Sequence, residues 1–551
     1  MASLNPLQGV LGRRNAAHLL RRCSFNFTRS KVDELASLSA SGALANLLTI
    51  NPPSLDQPVY ANGPVAPVTW INPPQPPSAQ LPADDDELKP YVLAWWLHEA
   101  LQDTGIGHKM SLFFHQYLAV DAASGSSMQF FDYLALIRWG SLGNLKSLVK
   151  KMVTDNCMLS YVDNDQNFAL NPNENFAREF FELFTVGRGA PAGPGDYTTF
   201  TEEDVIQAAR VFSGFNHAPR HQNIDPETNI PAGKAYPQSH DFDPKTFSNR
   251  LGSATIMPPS IDQAGMEEEL GLFLDLVFNQ PEASKNFCRR IYHYFVTRNI
   301  TQEVEDEVIV PLAQTLVSSN FEILPVLEQL LQSEHFFDMD DSDNADEIIG
   351  ALIKSPLELS LQALTFFQLP IPDPITQNKL HYIDFYNAAV LERMLGRAGM
   401  TLFYPLDVAG YSGYYQDPTL NRQFFNSATI VQRYKLPQVL LTGTNAWGSG
   451  SGDFIGTKLD MPIWVRDSGV VSDPEDSYVL VQELLYYLFP EEPANDRFTH
   501  FLDIVFLDQL PPADWTYEWQ NFIMTGDDSE VRIPLERLVN AIMYAPEYQV
   551  F

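Results

Sequence analysis

Three charged residues recur at one-turn intervals in the stretch Asn171-Pro-Asn-Glu-Asn-Phe-Ala-Arg-Glu-Phe-Phe-Glu-Leu-Phe-Thr-Val-Gly187: Glu174, Arg178 and Glu182. On an α-helix, residues four apart stand one above the other. One guanidinium can therefore bridge two carboxylates. A carboxylate held beside an Arg can serve as a general base whose pKa is set by that neighbour and by burial. The same row can equally be a permanently satisfied ion network that fixes helix register. His115, in Phe113-Phe114-His115-Gln116-Tyr117, adds an imidazole suited to a role as acid or ligand. Its aromatic setting also suits a hydrogen-bonded core histidine. No Gly-x-Ser-x-Gly nucleophile motif sharpens the chemistry.

Two further groups have donor types that suit a metal. Asp163, Asp165, Asn167, Ala169, Asn171 and Glu174 fall at positions 1, 3, 5, 7, 9 and 12 of an EF-hand-like loop for Ca2+ or another divalent cation. Phe168 stands where the sharp turn wants Gly, and Pro172 interrupts the loop. Asx turns and helix capping account for the same Asp and Asn content without a cation. Farther on, His217, His221, His240, Asp241 and Lys245 share one irregular stretch. His240 and Asp241 are its candidate ligands, although no spacing there is a metal signature.

These groups need rigid supports. The row sits on a helix expected to start after Pro172 and stop at Gly187. Phe176, Ala177, Phe180, Phe181, Leu183 and Phe184 form its apolar face. His115 sits on a second helix that follows Gly107. Period-3.6 patterning recurs along the chain, including 201–212, 266–278, 283–297, 346–367, 378–395 and 476–488, and period-2 patterning is nearly absent. The expected fold is all-α: one large multi-helix domain over 1–551 with long irregular loops and little or no β. Its subregions are N-terminal helices (1–50), a Pro-rich surface arm (51–83), a signature helical core (84–215), an irregular loop (216–260), a helical stretch (261–400), an aromatic loop region (401–460) and C-terminal helices (461–551). Tyr60, Trp70 and Ile71 are the arm's expected anchors. Arg13, Arg14, Arg21 and Arg22 form the one dense basic cluster, expected to pair with acidic helices or to clamp an anion.

The chain has 551 residues and a formal net charge of −34. Sequence-independent nucleic-acid binding needs Lys and Arg to neutralise phosphate, so that class is excluded, and an anionic membrane surface is excluded on the same ground. The charge suits cation binding or a cationic partner. With 45% hydrophobic residues the chain can bury a large core. Its three cysteines, Cys23, Cys157 and Cys288, have no paired spacing. The N-terminus lacks a charged segment followed by an apolar one, and no stretch reaches the length of a membrane span. The expectation is a soluble protein, cytoplasmic or exported by a specialised route.

Several separated stretches together resemble the bacterial family called domain of unknown function 1800. They are His18-Leu-Leu-Arg-Arg22 with Phe25, Lys109-Met-Ser-Leu-Phe-Phe-His115, and Asn173 to Gly187 followed by Tyr197 and Glu203 to Gly214. His240-Asp241 with Lys245-Thr-Phe247, Pro405 to Gly410 and Ala545-Pro-Glu-Tyr-Gln549 complete the set. The family's helix usually reads Phe-Trp-His-x-His, and here Tyr117 replaces the second histidine. Tyr411 likewise replaces a usual Trp. The resemblance implies no known reaction. It does imply a sulfatase-like protein as a partner. The leading expectation is a structural, binding or assembly protein built on the Glu-Arg-Glu helix, with self-assembly as one form. The alternative is a metal-assisted or carboxylate-dependent hydrolase acting with the sulfatase-like partner.

Overall fold

The computed structural model describes residues 2–49, 57–61, 67–74, 76–340, 348–411, 413, 420–443 and 458–551. Pro52-Pro53 of the arm, and residues 412, 414–419 and 444–457 of the aromatic loop region, lie outside them. The described residues are mostly α-helical. Their strands form four two-stranded antiparallel ladders of two or three residues per strand. The expected all-α class with little or no β therefore holds, the β content being these few short ladders.

The helices form because apolar side chains recur on one face and polar caps close the first turn. In the helix Leu145–Met152, Leu145, Leu148, Val149 and Met152 are buried, which is the i, i+3, i+4, i+7 pattern. Asn144 caps it by accepting from Ser147 N at 3.0 Å. The expected capping box at Thr201 is present: Thr201 N donates to Asp204 Oδ2 at 2.8 Å, and Asp204 N to Thr201 Oγ1 at 3.4 Å. The helix expected at 346–367 begins ten residues later, at Pro356. Ser355 and Glu358 build a capping box there, and Pro356 takes the first helical position, where its missing N–H costs nothing.

The helix Gly107–Tyr117 is buried along its whole length. Its apolar residues belong to one continuous core that also takes in the signature helix and the C-terminal helices. Each polar residue it carries must therefore find a partner or bear the desolvation cost. Lys109 finds Glu358, and His108 finds Asp103 Oδ2 at 2.6 Å.

The N-terminal basic cluster does not pair with acidic helices throughout. Arg13 does, reaching Asp33 at 2.8 Å. Arg21 instead donates to the carbonyls of Tyr487 and Phe489 at 2.5 and 3.0 Å, and Arg22 to that of Ile348 at 2.9 Å. These arginines tie the first helix to distant segments through backbone oxygens that the helical pattern leaves open. The arm is anchored as expected. Tyr60, Trp70 and Ile71 are buried, and the Trp70 indole donates to Ser127 Oγ at 2.9 Å.

The irregular stretch 216–260 is fixed by charge. Arg220 forks onto Asp132 at 2.6 and 2.7 Å, and Ser248 donates twice to the buried Asp204, at 2.7 and 2.6 Å. No described helix is long and apolar enough to cross a membrane.

Candidate functional site

The signature helix runs as an α-helix over Glu174–Glu179 and then as a π-helix over Phe180–Phe184. Asn173 caps its start, accepting from Asn175 N at 3.0 Å. Gly187, at φ 72°, ends the segment by donating to the Phe181 carbonyl at 2.9 Å, in a left-handed conformation that suits Gly. Phe176, Phe180 and Phe212 pack against one another, with ring centroids 4.7 Å (176–212) and 5.1 Å (180–212) apart. The apolar face is the expected one.

The polar face is not. Arg178 reaches Glu174 at 3.3 Å, but its second carboxylate is Glu202, held by a two-pronged contact of 2.5 and 3.0 Å. Glu182 pairs with Arg188 instead. The reason is the π turn. It places one extra residue in each turn, so Glu182 swings off the Glu174–Arg178 row. The expected bridge from Arg178 to Glu182 is therefore replaced by two separate pairs. Glu202 escapes a helical-spacing argument because it lies 24 residues away, on the next helix. The Arg178 contact holds the Glu202 carboxyl below its usual range.

Glu179 lies between the two pairs. No described residue donates a hydrogen bond to its carboxylate. Burial, and then the neighbouring charge of Glu182, push its pKa up to about 7, with Asp407 adding to the rise and Arg188 and Arg178 opposing it. Glu179 is thus the one member of the helix placed to exchange a proton near neutrality. Helical spacing put it on the polar arc but did not distinguish it, because the burial that raises its pKa most comes from the tertiary packing around it.

His115 is fully buried, with its ring 4.7 Å from that of Phe403. Its Nδ1 lies 3.0 Å from the Tyr133 hydroxyl, which itself donates to the Leu118 carbonyl at 2.8 Å. With that hydroxyl hydrogen committed, the network assigns a hydrogen to Nδ1 and leaves Nε2 a bare lone pair, without a partner among the described residues. Burial drives the imidazole down to about 3. The ring is therefore held neutral at physiological pH. It does not contact Glu174, Arg178 or Glu182 by any hydrogen bond or ion pair.

The metal-ligand sets do not converge. Asn167 turns inward, its amide donating to the Ala209 carbonyl at 2.8 Å and its Oδ1 accepting from Asn173 N at 3.0 Å. Glu174 is committed to Arg178, and Asp163 occupies a left-handed turn at φ 56°. Asp165 lies 3.4 Å from His217 Nε2. Asp and Asn here build turns and caps. Likewise Asp241 forks onto Arg210 at 2.7 and 3.2 Å. His240 Nδ1 meets the Ser213 carbonyl at 2.7 Å, and its Nε2 meets Glu269 Oε2 at 3.0 Å. Lys245 Nζ stands 2.8 Å from Glu269 and neutralises its carboxylate. Among the described residues, no group of three or more His, Cys, Asp and Glu side chains is placed to hold a metal ion. These candidate ligands, committed to turns, caps and ion pairs, do not fit Ca2+ or another divalent cation.

A family model described as a protein of unknown function, DUF1800, matches residues 18–550. The chain belongs to the DUF1800 family. No curated protein and no solved structure matches it.

Tyr117, where the DUF1800 resemblance leads one to expect a second histidine, has a structural role. Its hydroxyl donates to the Phe184 carbonyl at 2.6 Å, at the end of the π turn. It thereby locks the aromatic helix to the signature helix. Asn286 does the same one residue on, donating to the Thr185 carbonyl at 2.7 Å. Both bonds satisfy carbonyls that the end of a helix leaves open. The face of Tyr117 stacks against Arg290, whose guanidinium carbon lies 4.9 Å from the ring centre.

Proposed function

We propose that this DUF1800 protein is a structural or binding protein whose signature helix is a register-fixing ion network rather than a catalytic row. The observation that carries this reading is that Glu174, Arg178 and Glu182 are all committed to other side chains. A paired, hydrogen-bonded charge is a poor base because its proton affinity is already lowered by its partner. The sulfatase-like protein is the partner to test first, and association with further copies of the chain is the second form. Glu182→Gln is the test. Its carboxylate is buried and its partner Arg188 is mostly exposed, so the expected cost is about 1 kcal/mol, read by urea unfolding. Pull-down of the sulfatase-like protein and light scattering should give the same result for the variant as for the wild-type chain. A hydrolytic activity that vanishes in the folded variant would overturn the proposal.

A second reading, a carboxylate-dependent hydrolase, is favoured by Glu179 alone. A general acid or base works best with a pKa near the operating pH, and Glu179 titrates at about 7. In the unfolded chain the same carboxyl titrates at about 4.3. The folded state therefore holds the proton more tightly. That contribution to stability is complete below about pH 4 and is lost as pH rises towards about 7. Glu179→Gln should accordingly melt higher than wild type at pH 8 and differ little from it at pH 4. Equal melting curves at pH 8 would show that the carboxyl is not perturbed. Loss of a measured activity in this more stable variant would establish the enzyme.

A further inference from the structure

We infer that the cleft between the aromatic helix, the helix Pro281–Phe295 and the C-terminus binds a small oxyanion, with Arg290 as counter-ion and Gln116 as hydrogen-bonding partner. The cleft is small, with a cavity volume of about 40 Å³. Its walls include Gln116, Tyr117, Arg290, Tyr294, Glu358 and Phe551. It is narrow, which suits a dicarboxylate or inorganic phosphate rather than a nucleotide.

Two observations on different elements point into this space. Arg290 is only partly exposed, yet among the described residues no carboxylate pairs with it and no oxygen accepts a hydrogen bond from it. Its one described polar contact is the stacking on Tyr117. The neighbouring Arg289, by contrast, is spent on Glu305 and Glu282. Burial lowers the pKa of Arg290, with only the Tyr117 ring to oppose it. A guanidinium taken out of water without a counter-charge is costly. Gln116 is 8% exposed, and neither its amide nitrogen nor its amide oxygen has a partner among the described residues. Buried side-chain amides are seldom left wholly unbonded.

The local charge favours an anion. Glu358, the cleft's carboxylate, is neutralised by the buried Lys109 and accepts from Ser355 N at 2.7 Å. Among the described residues that line the cleft, Arg290 is thus a cation without a carboxylate partner. A planar fork of N–H donors in the wall of the cleft matches the paired oxygens of a carboxylate or phosphate. No residue of the Glu174–Arg178–Glu182 row lines the cleft, so this inference stands or falls independently of the proposed function.

The experiment titrates the full-length protein at pH 7.5 with malonate, with inorganic phosphate, and with chloride at matched ionic strength, following the melting temperature. A saturable rise with malonate or phosphate but not with chloride is expected. The anion that gives the larger rise separates a carboxylate ligand from a phosphate one. Arg290→Gln should weaken binding about tenfold or more, the loss expected for a charge-assisted hydrogen bond. Without anion it should melt at or above wild type, because the variant removes an unpaired charge. Arg290→Lys should retain part of the affinity. Gln116→Leu removes an amide that has no partner among the described residues, so it should fold and bind more weakly. No saturable rise with either anion would overturn the inference. So would unchanged binding in Arg290→Gln, or a variant without anion that melts well below wild type and is not rescued by Arg290→Lys.

Discussion

Replacing Glu269 with Gln is expected to cost about 3–5 kcal/mol, the range seen when one partner of a buried ion pair is removed. Glu269 is wholly buried and faces two groups at once. Lys245 Nζ lies 2.8 and 3.0 Å from its two oxygens, and His240 Nε2 lies 3.0 Å away. The side chains of all three are shut off from solvent. Gln keeps the shape and one acceptor oxygen but removes the charge, so Lys245, which also donates to the Asp241 carbonyl, loses its counter-ion. The expected readout is a lower midpoint in urea, because ΔG falls while the exposed surface, and hence the slope, stays the same. Lys245→Met combined with Glu269→Leu should recover much of the loss, since apolar replacement of a whole buried pair is often near neutral. A loss below about 1 kcal/mol in Glu269→Gln would mean that water reaches the cluster and that the loop 216–260 opens there.

The second large effect is expected at Lys109. Its ammonium is buried beside Glu358, between the rings of Phe25 and Phe551 at 5.0 and 5.2 Å. Lys109→Met fills similar volume but strands the Glu358 carboxylate, which also caps its own helix through Ser355 N. About 3–5 kcal/mol is again expected. The partner variant Glu358→Gln leaves the charge on Lys109 and keeps an acceptor at the cap, so its loss should be similar or smaller. The double variant Lys109→Met/Glu358→Gln should lose less than the sum of the two single losses, because the pair acts as a unit. Simple additivity, measured by chemical unfolding, would show that the two groups do not depend on each other. Because this pair joins the aromatic helix to the helix Pro356–Phe366, its loss should also open the cleft beside Arg290.

These two clusters show what a single sequence conceals. Lys109 and Glu358 are 249 positions apart, and no periodicity relates them. His240, Asp241 and Lys245 were legible as a group of polar side chains in one loop. Their role was not, because Glu269, the residue that turns them from candidate ligands into an ion network, comes from the following helix. Glu202 hides in the same way behind the Glu174–Arg178 spacing. Glu182 is a different case. Its i+4 relation to Arg178 is real in sequence, but it assumes an α-helix, and one π turn breaks it. The likeness to DUF1800 rested on short blocks such as Asn173–Gly187 and Ala545–Gln549. The family match over residues 18–550 bears it out.

By itself the sequence determined the mostly-α class, the family, the apolar face of the signature helix, the capping box at Thr201 and the buried anchors Tyr60, Trp70 and Ile71. All of these depend on residues close together in the chain, or on a pattern repeated along it, and local sterics and hydrophobic periodicity are written in that order. Tertiary structure alone decided which carboxylate meets which cation, which imidazole is neutral, and which Arg is left without a partner. Those outcomes turn on desolvation and on charges a few ångströms away in space, and the chain brings such neighbours together from segments that lie as far as hundreds of residues apart.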